Sequence, residues 1–324
     1  MKTQILYVLV SSREDIYLEQ AYVSAFSARR HNPDARILLL TDEVTARGWL
    51  QKNPLSGSFK ALFTEIVVSQ LDPSLPAMQR SRLLKTGMRE YVKGDFLFID
   101  ADTVVARPLN DIDAVPADLA AAPDLHCRFE GHPHRQPTIN MCKKLGYDPS
   151  GDMWYYNSGV LLVRDTPGNH AFFESWQRNY LSGLEKGIRP DQPSLAKTNA
   201  QGQMTCLPDE WNCEVQNGVR YLRDAYIVHY MVTNLAGGKL ERLYRLNDRQ
   251  VLLRLREAGK MTDEIMEVVE DPFKGYARMT QVFAGEEVHF FRTRRYRWMR
   301  ERYFRGKPSL LEFLLKVKDH LWRK

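Results

Sequence analysis

The regular alternation of short apolar runs with stretches of helical period limits this chain more than any other feature. "ILYVLV" (5–10), "ARILLLTDE" (35–43), "EIVVS" (65–69) and "FLFI" (96–99) are β-rich runs of strand length. Between the first two, Ile16, Ala21, Val23, Phe26 and Ala28 recur at helical intervals until Asn32-Pro33. "SLPAMQRSRLLKTGMREYV" (74–92) reads as another helix, with Pro near its start. Strands that return after intervening helices build an open, largely parallel sheet with helices covering it. In such sheets ligands gather at the carboxyl ends of the strands.

Further along, "LHCRFEGHPHRQPTINMCKKLGYDPSGD" (125–152) reads as a long polar excursion. Its histidines, His126, His132 and His134, show no repeated metal-ligand spacing, so a polar lid is the expectation. "MWYYNSGVLLVRDT" (153–166) returns to strand, "HAFFESWQRNYLSGL" (170–184) is an amphipathic helix, and "AYIVHY" (225–230) is a late strand carrying His229.

The fourth strand delivers Asp100 and Asp102 at its end, one residue apart and on one face if the strand continues. Two carboxylates there repel unless a cation or a proton lies between them. Three chemistries use such a pair. A haloacid dehalogenase-like phosphatase matches Asp100-Ala101-Asp102-Thr103-Val104, with one Asp as nucleophile and one as acid. That chemistry needs a later acidic metal pair, and none follows Gly151-Asp152. A sugar-nucleotide transferase uses the pair to hold a hard cation against a leaving diphosphate. A non-catalytic sugar-nucleotide-binding module is the third reading.

The segments "RSRLLKTGMREYVKGDFLFIDADTVVARPL", "YYNSGVLLVRD", "RPDQPSL", "LPDEWN" and "IVHY" occur in an order that resembles glycosyltransferase family eight. That family includes glycogenin and the bacterial lipooligosaccharide galactosyltransferases, and the resemblance spans about residues 4–240. It implies an α/β GT-A (Rossmann-like) fold, with a mixed central sheet and helices on both faces. By the same resemblance the metal ligands are Asp100, Asp102 and His229, and imidazole in the set favours Mn²⁺ over Mg²⁺. Arg82 and Lys85 look like the family's basic residues facing the donor nucleotide, favoured here as a UDP-sugar. Ser11 and Ser12 stand where the family contacts base and ribose, although acids or amides are usual there. Asn157 matches the polar residue beside the donor sugar, Asp124 the acid of the loop after the paired aspartates, and Asp191-Gln192 the Asp-Gln pair near the anomeric carbon. The family's His-x-x-Gly-x-x-Lys segment is altered to "HYMVTNLAGGK", which leaves Lys239 as the candidate for the diphosphate. The implied reaction retains anomeric configuration. It runs by front-side attack with Gln192 supporting the transition state, or through a short-lived intermediate on Asp191 or Gln192.

Charge divides the chain. Net charge is +6, yet residues 292–324 hold 12 Lys and Arg against 3 Asp and Glu, so the rest is mildly acidic. The resulting division is a catalytic domain over 1–240 and a helical, basic extension over 241–324. In the tail, Ser309 and Glu312 form a capping box, and Leu310, Leu311, Leu314, Leu315, Val317, Leu321 and Trp322 share a face. This describes a helix lying on an anionic membrane surface, which suits a glycolipid or other lipid-linked saccharide acceptor. The acidic body argues against nucleic acid. No apolar run approaches the roughly 20 residues of a span. The N-terminus lacks a secretory apolar stretch and the four cysteines form no paired motif, so a cytoplasmic, membrane-peripheral protein is the expectation.

Overall fold

The structure is a computed structural model and describes residues 1–149, 153–231, 244–275, 293–296 and 298. The chain begins β1 (Gln4–Leu9), α1 (Tyr17–His31) and β2 (Ile37–Asp42). Three short helices follow, α2 (Glu43–Arg47), α3 (Trp49–Lys52) and α4 (Ser56–Lys60), then β3 (Glu65–Ser69). Next come α5 (Ala77–Thr86), α6 (Met88–Tyr91), β4 (Phe96–Ile99), β5 (Thr103–Val105) and β6 (Leu119–Pro123). The middle of the chain supplies α7 (Arg135–Lys144), β7 (Tyr156–Val163), α8 (Pro167–Glu185) and α9 (Gln192–Thr198). It closes with β8 (Thr205–Cys206), β9 (Cys213–Glu214), β10 (Ile227–His229), α10 (Arg249–Ala258) and α11 (Asp263–Glu270).

Two sheets result among the described residues. The larger has seven strands in the order β3-β2-β1-β4-β7-β6-β8, and the smaller has the order β5-β10-β9. β3, β2, β1 and β4 run parallel, as the alternation requires, and β7 joins β4 antiparallel. The large sheet is covered on both faces. In β4, Leu97 and Ile99 enter one core with α1, while Phe96 and Phe98 enter another with Leu84, Phe172, Phe173 and Trp176. That is the period-2 alternation of a doubly buried strand.

Three sequence expectations are modified. The helix expected over 74–92 breaks at Gly87 into α5 and α6. A side chain there would meet Gln177 Nε2 at 2.5 Å and Leu83 O at 3.1 Å. The 125–152 excursion contains α7, and His126 and His132 are buried rather than displayed on a lid. Residues 244–275, read as part of the extension, share the main core: Leu246, Leu252, Leu255, Ile265 and Val268 pack in the same cluster as Ile5 and Tyr7. Arg256 of α10 is ion-paired with the fully buried Glu19 of α1 at 2.7 Å. No helix among the described residues is long and apolar enough to cross a membrane. Most of the basic tail, 299–324, and Lys239 lie outside the described residues.

Candidate active site

Asp100 and Asp102 straddle the junction of the two sheets. β4 ends at Ile99, so the carboxylates come from a turn into β5 and not from alternate positions of one strand. Backbone bonds fix the turn: Asp100 N donates to Gly159 O (2.7 Å) and Tyr230 N to Asp102 O (2.8 Å). β10 pairs antiparallel with β5 in a register that sets His229 opposite Thr103, beside Asp102. The ligand atoms of Asp100, Asp102 and His229 all lie within 4.8 Å of one another. A phosphatase would need a second acidic pair here, whereas the third member of this cluster is a histidine.

The imidazole is oriented by a directional chain. His229 Nδ1 donates to Asn212 Oδ1 (2.9 Å), Asn212 Nδ2 to Asn157 Oδ1 (3.0 Å), and Asn157 Nδ2 to Asp124 Oδ1 (2.7 Å). The other Asp124 oxygen accepts from His132 Nε2 at 2.8 Å, and His132 Nδ1 accepts from the His134 backbone N–H, which fixes its tautomer. This order leaves His229 Nε2 facing Asp102 Oδ1 at 3.2 Å. Burial disfavours charge on both groups, but their proximity outweighs it. The Asp102 carboxyl is held below its ordinary value and the His229 imidazolium above its own. Two carboxylates and an imidazole with its Nδ1 engaged form a donor set that fits a divalent cation such as Mn²⁺.

A cavity of about 320 Å³ opens over this cluster. Lys85, Arg82 and Met78 of α5, Asn157 and Ser158 of β7, Asp191 and Gln192 at the start of α9, and Tyr17 line it. Asp191 does not cap α9. Its carboxylate accepts from Ser158 Oγ (2.8 Å) and is paired with Arg82 Nε (3.4 Å) and Lys85 Nζ (3.6 Å). Burial would raise its pKa, but Arg82 and Lys85 outweigh burial and hold it well below the carboxylate range. It is therefore an anion at neutral pH.

Of the residues singled out in the sequence, Asp100, Asp102, His229, Arg82, Lys85, Asn157, Asp191 and Gln192 are brought together on this cavity. Asp124 is not on its surface; it stands behind Asn157 and holds it. The backbone leaves Asp124 through left-handed conformations at Leu125 (φ 54°) and His126 (φ 55°), and Leu125 N donates to the buried Glu214 carboxyl. Ser11 and Ser12 face elsewhere. Their hydroxyls are bound to Asp15 at 2.6 and 2.9 Å, and they line a neighbouring groove with Arg13, Lys52 and Arg249. Two further residues beside the candidate site carry no signal in the sequence. Asn212, fully buried, sits inside the quoted "LPDEWN" with nothing to mark it as the partner of His229. Tyr17, 53 % exposed, stands on the rim of the same cavity.

No family model and no curated protein matches the chain. Solved structures do. The chain is similar to the apo structure of the bifunctional glycosyltransferase WbbM, at 18 % identity and TM-score 0.52, over 83 % of this chain and 52 % of that one. It is also similar to the galactosyltransferase LgtC in complex with donor and acceptor sugar analogues, at 18 % identity and TM-score 0.51, over 82 % of this chain and 99 % of that one. The chain thus spans about half the length of the WbbM chain. At such identity the likeness speaks for the fold, and the mixed seven-stranded sheet with its helical layers is that of the GT-A glycosyltransferases.

Proposed function

We propose that the protein is a glycosyltransferase that moves a hexose from a nucleoside diphosphate sugar, a UDP-sugar by preference, to a saccharide acceptor. One observation carries the reading: an Asp-Asp-His donor set shares one cavity with an ionised Asp191 and the amide of Gln192. Tyr17 stacks on the base, and Asp100, Asp102 and His229 hold the cation. When bound, that cation supplies charge stabilisation for the departing diphosphate.

The remaining roles belong to the chain itself. Asn157, fixed by Asp124, contacts the donor sugar. Asp191 is held as an anion by Arg82 and Lys85, so it stabilises positive charge that develops at the anomeric carbon. Gln192 offers its amide to the same centre while Nε2 keeps a 3.4 Å contact with Tyr156 O. The acceptor hydroxyl enters on the face that the diphosphate leaves, and a diphosphate oxygen takes its proton, which retains configuration. The acceptor is a lipid-linked glycan approached through the basic segment 292–324 on an anionic membrane surface, a reading supported by the sequence of that segment alone.

Calorimetric titration of UDP with and without Mn²⁺, repeated on Asp102→Ala, tests the core of this reading. Cation-dependent UDP binding that the substitution abolishes supports it. Failure of UDP to bind under either condition overturns the UDP donor, and binding indifferent to both Mn²⁺ and the substitution overturns the cation site.

A further inference from the structure

Lys85 does something that holding a nucleotide does not require. It lies on α5, is only 2 % exposed, and sends its ammonium between two acids of the site. Nζ is 2.9 and 3.1 Å from the two oxygens of Asp100 and 3.6 Å from Asp191 Oδ2. The face of Phe98, 5.1 Å away, closes its other side. Both oxygens of one cation ligand are thus already engaged by a permanent positive charge. The same carboxylate also accepts nothing else among the described contacts, whereas Asp102 faces His229.

Count the fixed charges around the cavity. Leaving aside His229, whose imidazole a bound cation would hold in its neutral form, Asp100, Asp102 and Asp191 contribute three negative charges, and Arg82 and Lys85 cancel two of them. Affinity of oxygen-rich sites for hard cations follows the uncompensated ligand charge. With Lys85 in place the site is one charge poorer than its ligand set suggests. A nucleoside diphosphate reverses this, because its own negative charge both ligates the cation and offsets Lys85.

We infer that Lys85 makes cation binding conditional on the diphosphate: the bare site takes a divalent cation weakly, and the two ligands bind tightly only together. This rests on the proposed function, since it presumes that the cation and a nucleoside diphosphate meet at Asp100. By thermodynamic linkage, the factor by which UDP tightens Mn²⁺ equals that by which Mn²⁺ tightens UDP. Removing the ammonium strengthens Mn²⁺ binding to the bare site and shrinks that shared factor.

The test is Mn²⁺ titration of the full chain, followed by electron paramagnetic resonance of the free ion, with and without saturating UDP. Wild type is compared with Lys85→Met and with Lys85→Arg, which keeps the charge. Lys85→Met should bind Mn²⁺ alone at least about fivefold more tightly, the lower bound set by one unit charge about 4 Å away with the full screening of water. Its UDP-dependent gain should fall by at least the same factor, while Lys85→Arg keeps the wild-type order. Lys85→Gln carries the same expectation as Lys85→Met and replaces it if thermal melting shows that variant unfolded. Equal Mn²⁺ affinities in wild type and the neutral variants, with UDP still binding, overturn this inference and leave the proposed function standing. Absence of both Mn²⁺ and UDP binding in every protein overturns the two together.

Discussion

Gly159 is the position where one added carbon should dismantle the candidate cation site. It lies in β7, its carbonyl accepts from Asp100 N and its N–H donates to Asn157 Oδ1, both at 2.7 Å. A Cβ there would lie 2.8 Å from Asn157 Oδ1, 3.0 Å from Asp100 Oδ2, and nearer still to His229 Cε1. Carbon atoms sit comfortably about 3.5–4.0 Å apart, so the imidazole would have to retreat by roughly 1 Å. The retreat breaks the 2.9 Å bond to Asn212 and carries Nε2 away from Asp102. Overpacking of this kind costs about 1–3 kcal/mol, which lowers the Tm of a chain this size by roughly 2–6 °C. Misorienting one ligand through its outer partner costs about 10–100-fold in metal affinity. Gly159→Ala should therefore melt a few degrees early and bind Mn²⁺ in the presence of UDP at least about tenfold more weakly. Gly57→Ala, where a Cβ meets nothing within 4 Å, is the control and should leave the Mn²⁺ affinity unchanged without lowering the Tm. If Gly159→Ala keeps both the Tm and the Mn²⁺ affinity of wild type, the imidazole does not stand against Gly159 and His229 is not a ligand.

Three further outcomes follow from the same geometry. Asn212→Leu removes the acceptor of His229 Nδ1 and the donor to Asn157, and should weaken Mn²⁺ binding about 10–100-fold in the resonance titration. Arg256→Met leaves Glu19 buried with the Asn53 amide but no countercharge, and frees the Arg13 and Asp15 carbonyls that Arg256 also binds; urea unfolding should show a loss of about 3–5 kcal/mol. Glu214 is fully buried, and burial first, then the Asp124 charge, raises its pKa well above the usual carboxylate value. A neutral carboxyl in the fold that ionises on unfolding stabilises below about pH 4.5, and that contribution is lost as pH rises toward the folded pKa. The Tm of Glu214→Gln minus that of wild type should accordingly grow from pH 4.5 to pH 8, and a difference independent of pH would mean that Glu214 is ionised in the fold.

The strands and their order could be read because burial on both faces leaves near-continuous apolar runs, as in Phe96–Ile99. The paired aspartates were equally visible, since polar residues at the end of such a run stand out. What brings His229 to them was not. That depends on the register of β10 against β5, two strands more than 100 residues apart, and no local pattern encodes it. Ser11 and Ser12 line the neighbouring groove for a local reason: Asp15, four and three residues on, offers their hydroxyls an acceptor. Asp124 stands out in the sequence only through the resemblance, and its contacts with His132 and Asn157 exist only in three dimensions. His126 shows the same limit: it reads as loop polarity and is in fact a buried pin, bonded to Asp209 at 2.8 Å and to Glu214 N at 2.9 Å.

The segment after residue 243 explains why the cavity and the cation site are one object. Gln20, on the cavity wall, donates to Leu246 O at 3.0 Å and to Asn247 Oδ1 at 2.9 Å. Asn247 donates in turn to Tyr230 O at 2.5 Å, and Tyr230 N holds Asp102 O at 2.8 Å. A continuous series of bonds therefore runs from α1, which begins at the exposed Tyr17, through 246–247 to the backbone of Asp102. Arg256 ties the loop between β1 and α1 to α10 in the same way. Buried polar contacts of this kind favour one arrangement, because each group left unpaired costs about 1–3 kcal/mol. Residues 244–275, which composition marks as part of an extension, thus tie the cavity wall at Gln20 to the backbone of Asp102. The folded core that carries the candidate site therefore extends past residue 240 to include α10 and α11.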